Sequence, residues 1–426
     1  MRELLAGRGF AFWLAAIVAL GVAIRIPYTL LVAPWPPLIF NDEAYYSALA
    51  NLIAAGGGFI RPGEALGEGL AVPTAERAPL YPLALAGLAE LGATGPDAQR
   101  LLGTATGAGT IVALGLLGRR LAGPRAGLLA ALIAALYPML IAADGALMTE
   151  SLFGMLVGFS LLAAYRLIED AGPLRAALLG VLVGLAALTR GEGLFLLPLL
   201  LVPLVRRPGG LRAAAVVCVS FALVLAPWAI RNATTFDRPV LIATEAGETI
   251  AGANCEPVYY GEDIGKWEVD CVHTRPGTAP GFDESVEFNQ AGRDGIDYAL
   301  DHLDRVPVVA AVRLLRTWGI WQPLQVPEGR SSDVTKAGAV AFFLLLPLAV
   351  YGFLLLRRRG VPVWILTTPV ITVTLTTLVA YGSVRFRHSA ELPLVVLAAV
   401  ALDALTRQHR RRRAERNVAS GDTVVA

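Results

Sequence analysis

Long uncharged apolar runs alternate with short polar connections along nearly the whole chain. The runs cover roughly 10–33, 99–118, 124–142, 150–165, 174–189, 192–205, 211–230, 337–356, 361–380 and 390–405. A helix rises about 1.5 Å per residue, so some 20 apolar residues cross the hydrocarbon core of a bilayer. The pattern predicts ten transmembrane helices and an all-α polytopic membrane protein. The run 80–92 is shorter and bordered by Pro79 and Pro82, which fits a juxtamembrane, surface-lying or re-entrant helix rather than a span.

Two stretches interrupt the pattern. In 34–98, Asn41 is a helix N-cap, and the helix it starts runs to the stop at Gly56-Gly57-Gly58. Asp42 and Glu43 then occupy the first turn, where the helix dipole favours ionised carboxylates. Tyr45 and Tyr46 follow three and four residues after Asp42 and flank its face. The stretch 231–336 is rich in Gly, Asp and Glu, with a strand expected at Pro239 to Thr244, so it reads as a small mixed domain. Its end, Arg305 to Trp321, reads as an interfacial amphipathic helix. There Arg313 and Arg316 share one face, and Trp318 and Trp321 suit the membrane–water boundary. The chain therefore divides into a membrane core (1–230) that includes the loop 34–98, a polar domain (231–336), a second membrane part (337–405) and a basic tail (406–426).

Composition agrees with this reading. Of 426 residues, 55% are hydrophobic and 16% charged, against roughly 25% charged in soluble proteins. The distribution of charge says more than the net +2. Alternating the spans places Arg2/Arg8, Arg119/Arg120/Arg125, Arg166/Arg175, Arg206/Arg207/Arg212, Arg357–Arg359 and the cluster from Arg407 to Arg416 all on one side. By the positive-inside rule that side, with both termini, is cytoplasmic. Counting 80–92 as a span would move the clusters from Arg119 onward outside. The start, Met1 to Leu31, has the basic opening of a signal peptide but no small-residue cleavage site, and reads as a retained span. Lysine occurs only at Lys266 and Lys336. With abundant Ala, Gly, Leu and Arg, this is the composition of a GC-rich bacterial genome, which points to the bacterial cytoplasmic membrane. Cys255 and Cys271 fall in the outer domain, where a disulfide is permitted. Cys218 lies in a span and reads as a packing residue.

Candidate chemistry gathers on the outer side. Carboxylates stand at Asp42, Glu43, Glu76, Asp144 and Glu150, and arginines at Arg77, Arg190, Arg231, Arg313, Arg316, Arg385 and Arg387. Charges beside spans are costly unless paired or functional, and arginines in such number suit a phosphate. No Walker loop or dinucleotide fingerprint is present, so the phosphate expected is lipid-linked and reaches the site from the bilayer. A carboxylate base and an arginine-stabilised phosphate leaving group describe sugar transfer from a polyprenyl phosphate, with inversion if displacement is direct. Nothing points to nucleic acid. A lipid or glycan transporter or flippase would share the polytopic pattern, but would more often show polar or broken helices at mid-membrane and inverted repeats. A glycan ligase or polymerase would differ in using a diphosphate-linked donor, and a non-catalytic assembly factor would tolerate loss of Asp42.

The order of motifs resembles the GT-C glycosyltransferases, in particular the group of bacterial aminoarabinose transferases and protein O-mannosyltransferases. The resemblance extends over most of the chain. Asp42-Glu43 matches that family's acidic pair after the first span, which implies that Asp42 is the base. Glu76-Arg77-Ala78-Pro79-Leu80-Tyr81 matches an acidic-basic-Pro-Pro-Leu-Tyr segment, with Ala78 replacing one proline. The match implies that Arg77 touches the donor phosphate, and Tyr81 joins Tyr45 and Tyr46 as candidate substrate contacts. The family's second acidic site falls on Asp144 or Glu150. Leu188-Thr189-Arg190, Pro227-Trp228 to Asn232 and Gly382 to Arg387 are further landmarks. Some relatives hold a metal between the residue matching Glu76 and a later histidine. Neither His273 nor His302 matches, so no metal ligand is assigned; a divalent metal is compatible with the family but unsupported here. The implied partners are a polyprenyl-phosphate-linked sugar and a lipid, glycan or protein acceptor.

Overall fold

The computed structural model describes residues 9–32, 41–325 and 331–419; Arg2, Arg8 and residues 420–426 lie outside the described residues. The protein is almost wholly helical, and its apolar helices form a multi-pass membrane bundle. The ten apolar runs recur as α1 (Phe10–Pro27, extended by a π-turn Tyr28–Val32), α5 (Pro96–Ala122), α6 with α7 (Pro124–Leu136 and Pro138–Gly145), α8 (Glu150–Glu169), α9 (Pro173–Thr189), α10 (Leu196–Val205, preceded by a 3-10 turn Gly191–Phe195), α11 (Gly210–Thr235), α15 (Ser332–Arg358), α16 (Trp364–Val379) and α17 (His388–Ala419). Between them lie α2 (Asp42–Ala54), α3 (Pro62–Glu68), α4 (Leu80–Glu90), α12 (Glu245–Ala253), α13 (Glu284–Asp301) and α14 (Val306–Thr317).

Among the described residues, six helices are long and apolar enough to cross a membrane, and α6 with α7 makes a seventh, bent span. The other three apolar helical segments are shorter: α9 has 17 residues and α16 has 16, about 25 Å each against a core of about 30 Å. The 55° bend between α6 and α7 falls at Tyr137-Pro138. A proline at that point cannot donate to the preceding turn, and its ring disfavours helix in the residue before it.

Small residues let the helices touch at the backbone, as membrane packing without a hydrophobic driving force requires. A Cβ on Gly127 of α6 would lie 2.5 Å from the carbonyl oxygen of Gly115 on α5. At Gly107 of α5 it would lie 2.5 Å from Asp144 Cγ and 2.9 Å from Arg25 Nε, so glycine makes room for a buried ion pair. That pair joins α1 to α7: Arg25 Nε donates to Asp144 Oδ2 at 2.6 Å, with both side chains at most 3% exposed. The remaining Arg25 nitrogens donate to the carbonyls of Ala134 and Ala135, whose amide partners are lost at the bend.

The helix ends sort into two groups. Arg119 over the Phe10 ring, Arg120 paired with Glu169, and Arg207 donating to Ile168 O mark one end. The starts of α2 and α8 and the ends of α9 and α16 form the opposite end, which carries 231–325.

Three expectations need correction. Pro239 to Thr244 is not a strand, and the domain is helical rather than mixed. Pro239 has no N–H for a ladder. The carbonyls of Val240 and Ile242 are taken by Asn232 Nδ2 and Trp228 Nε1, and Thr244 N donates to Ala75 O. α14 does not present Arg313 and Arg316 as exposed headgroup anchors: both are buried, Arg313 donating to the carbonyls of Ala253 and Leu378 and Arg316 to those of Ile264 and Glu262. Cys218 is exposed on the outside of α11 rather than packed in the core. Cys255 and Cys271 are disulfide-bonded.

Candidate active site

The local sequence first sets Asp42 in place. Asn41 Oδ1 accepts from Ala44 N at 2.9 Å and starts α2, so Asp42 projects from the first turn. Two arginines from distant segments meet it. Arg77 Nη2 donates to Oδ1 at 2.8 Å, and Arg385 Nη1 donates to Oδ2 at 3.2 Å. Arg77 also holds Glu245 at 2.6 Å, and Arg385 holds Glu150. Glu150 in turn pairs with Arg190 at 3.2 Å, and Arg190 with Glu192 at 3.2 Å. The result is one alternating row of charges, Glu245–Arg77–Asp42–Arg385–Glu150–Arg190–Glu192, drawn from six segments of the chain.

The electrostatics follow from this order. Burial alone would raise the Asp42 carboxyl, but Arg77 and Arg385 outweigh it and hold the group below its usual range. Asp42 is therefore ionised at neutral pH. Burial would lower Arg77 and Arg385, but their carboxylates hold both well above the ordinary arginine value. Burial pushes the hydroxyls of Tyr45, Tyr46 and Tyr81 up, so they remain protonated donors.

The row borders a cavity of ≈ 600 Å³. Asp42, Tyr46, Arg77, Arg190, Glu192, Glu245 and Arg385 line it, with Glu150 directly behind Arg385. An apolar wall of Leu194, Phe195, Val379 and Phe386 adjoins Arg190, whose guanidinium stands over the Phe386 ring at 5.9 Å. Phe195 and Val379 are 37% and 57% exposed, so this wall continues onto the outside of the bundle.

Other expected site residues lie elsewhere. Asp144 is held by Arg25 and by Ser151 Oγ inside the bundle, whereas Glu150, also buried, pairs with Arg385 and Arg190, which line the cavity. Glu43 is fully buried under α2. Glu76 sits behind Arg77, 3.4 Å from it and 3.6 Å from Arg61. Tyr45 packs beneath Arg77 and bonds Thr74, while Tyr81 packs edge-on against Tyr46. Arg231 donates to the carbonyls of Phe59 and Thr74. Arg387 pairs with Glu391 at 2.6 Å and covers the Phe342 ring, while Arg313 and Arg316 serve the outer domain; none of these four arginines lines the cavity.

Several participants were not singled out from the sequence. Glu245 and Glu192 complete the charge row. Glu284, wholly buried at the start of α13, accepts from Thr74 Oγ1 (2.7 Å), Ala75 N (2.8 Å), Thr244 Oγ1 (2.7 Å) and Arg61 (3.2 Å). It thereby clamps the outer domain onto the loop that presents Arg77. Glu245 and Glu284 look like surface charge in a polar stretch, with no local signal to mark them, whereas Glu192 stands beside two apolar runs. Arg25 did have a signal, as a lone charge inside an apolar run that must find a partner. The carboxylates around Glu76 already face Arg61 and Arg77, and among the described residues no group of three His, Cys, Asp or Glu could hold a metal.

A family model described as dolichyl-phosphate-mannose-protein mannosyltransferase matches residues 76–230. No curated protein matches the sequence. Among solved structures, the archaeal oligosaccharyltransferase AglB from Archaeoglobus fulgidus, in complex with an inhibitory peptide and a dolichol-phosphate, superposes with a TM-score of 0.57 at 16% identity over 96% of this chain. The chain spans about half, 52%, of that protein's length. ArnT from Cupriavidus metallidurans bound to undecaprenyl phosphate is similar at 18% identity and a TM-score of 0.43, covering 91% of this chain and 78% of that one. The chain has the polytopic GT-C fold.

Proposed function

We propose that this chain is an inverting glycosyltransferase that moves a sugar from a polyprenyl-phosphate donor to an acceptor hydroxyl. The observation that carries the reading is Asp42: an ionised carboxylate held by Arg77 and Arg385 at the edge of a cavity with one apolar wall. Oδ1 accepts from Arg77 and Oδ2 from two nitrogens of Arg385, and the side chain is 21% exposed, which leaves room for an acceptor hydroxyl. Asp42 takes the hydroxyl proton as the acceptor oxygen bonds to the anomeric carbon. The bond from that carbon to the phosphate oxygen breaks, and its electron pair leaves with the lipid phosphate. Arg385 and Arg190, beside the apolar wall, meet the charge that develops there. A single displacement inverts the anomeric centre.

The fold shared with a protein whose structure holds a dolichol-phosphate, and the mannosyltransferase match over 76–230, support a lipid-phosphate donor. The apolar wall open to the outside of the bundle suits a prenyl chain. The acceptor is a lipid, a glycan or a protein. Gathering of basic residues at the far end of the bundle, and the disulfide at the cavity end, support cytoplasmic termini and an active site on the outer face of a bacterial cytoplasmic membrane.

The test is sugar release from a panel of radiolabelled hexosyl and pentosyl polyprenyl phosphates by protein in nanodiscs, wild type beside Asp42→Asn. Turnover of any donor that is lost in the variant supports both the class and the base. Turnover that survives removes Asp42 from the role. Failure of every donor, with hydroxyl acceptors supplied and the protein folded, overturns the reading.

A further inference from the structure

The charges that line the cavity are not balanced. Its carboxylates are Asp42, Glu192 and Glu245, while its arginines are Arg77, Arg190, Arg385, Arg238 and Arg293. The first three arginines are each ion-paired. The excess is Arg238 and Arg293, both exposed, and among the described residues neither side chain makes an ion pair.

Both line the cavity on the side of the outer domain. The backbone N of Arg238 donates to Ser285 Oγ at 3.0 Å, in the first turn of α13. Arg293 follows eight residues later on that helix, about 12 Å along it. Ser285, Asn289 and Arg293, at intervals of four, form one stripe on the cavity side. The stripe is held firmly. A Cβ at Gly292 would lie 2.9 Å from Gly247 Cα, and one at Gly295 would lie 2.7 Å from Ile250 O, so α13 rests on α12 at backbone contact. The first residue of α12, Glu245, is the one that holds Arg77.

A wall with two guanidiniums outside any ion pair and an amide suits an oxyanion with several acceptor oxygens, while the Ser285 hydroxyl is already spent on Asp283. A neutral acceptor would leave both cations without a partner. We infer that Arg238, Arg293 and Asn289 form a second anion subsite, distinct from the donor-phosphate position, that receives a phosphate group carried by the acceptor. This rests on the glycosyl-transfer reading only for the word acceptor; the subsite itself does not depend on it. A phosphate there could come from the acceptor or from a bilayer headgroup, and the two sources behave differently in the test.

The probe is radiolabelled glucose 6-phosphate, which joins free hydroxyls to one phosphate, measured by equilibrium dialysis against protein in phosphatidylcholine nanodiscs. Saturable binding is expected, displaced by inorganic phosphate and not by glucose. It should weaken by roughly tenfold or more in Arg238→Gln/Arg293→Gln and persist in Arg238→Lys/Arg293→Lys. Binding that is equal in the Gln variant overturns the subsite. Binding that disappears when phosphatidylglycerol is added to the nanodiscs assigns the arginines to headgroups and overturns the acceptor assignment. Sugar release by the same preparations separates the two readings: donor turnover without probe binding removes the subsite alone, and probe binding without donor turnover removes the transferase reading alone.

Discussion

Replacing Asp42 by asparagine keeps the side chain's shape and removes one negative charge from between two arginines. Neither arginine is left without a carboxylate, because Arg77 keeps Glu245 at 2.6 Å and Arg385 keeps Glu150. The structural cost is that one arginine keeps a weaker hydrogen bond to the amide oxygen while the other faces an NH2 that cannot accept, at a side chain that is 21% exposed. That amounts to about 1–2 kcal/mol, too little to unfold the protein. The catalytic cost is different. Loss of a general base lowers the rate by roughly 10²–10⁴, or about 3–5 kcal/mol in the barrier. The assay is initial-rate sugar transfer with donor concentration varied, alongside thermal unfolding of the same preparations. We expect kcat to fall in that range, the donor KM to stay within a few-fold, and the unfolding temperature to move little. A variant with full kcat and a raised donor KM would refute the base assignment, since Asp42 would then serve only to hold the two arginines.

Removing Arg25 leaves Asp144 buried without its cation, so Arg25→Met should destabilise by about 3–5 kcal/mol, whereas Arg25→Met/Asp144→Leu should recover most of that; thermal unfolding in detergent reads both. Glu284→Ala strips four donors of their acceptor and should release the loop 59–78, seen as faster amide exchange there than in the wild type, with the bundle unchanged. Burial pushes the Glu76 carboxyl up to about 7 from the ordinary 4.5, against the opposing pull of Arg77 and Arg61. Between those values the unfolded chain is ionised while the folded one keeps its proton, so this group's contribution to stability is complete below 4.5 and is lost as pH rises through 7. Glu76→Gln should therefore gain on the wild type by roughly 3 kcal/mol as the pH is raised from about 5 to about 8; unfolding temperatures whose difference stays constant with pH would contradict it.

The bundle was legible in the sequence because its cause is local. Apolar length sets the helices, proline at position 138 sets the bend, and Asn41 sets the start of α2. Each acts within a turn or two of itself. The importance of Asp42, Arg77 and Arg385 was also legible, because charges placed beside apolar runs are expensive and therefore rare. Which of the charges meet was not. Arg385 lies more than three hundred residues from Asp42, and Arg77, Arg231 and Arg313 look alike in sequence although one lines the cavity and two bind carbonyls. Asp144 and Glu150 are six residues apart, yet one is spent inside the bundle on Arg25 and the other backs the cavity's Arg385 and Arg190, because the turn between α7 and α8 points them to different neighbours. The unpaired state of Arg238 and Arg293 is likewise a property of the folded arrangement. It exists only because the cavity's three carboxylates are all claimed by other arginines. Sequence by itself determined the helices, the membrane and the kinds of group at hand. Tertiary structure decided their pairing, since an ion pair depends on distances of 3–4 Å that no one-dimensional pattern fixes.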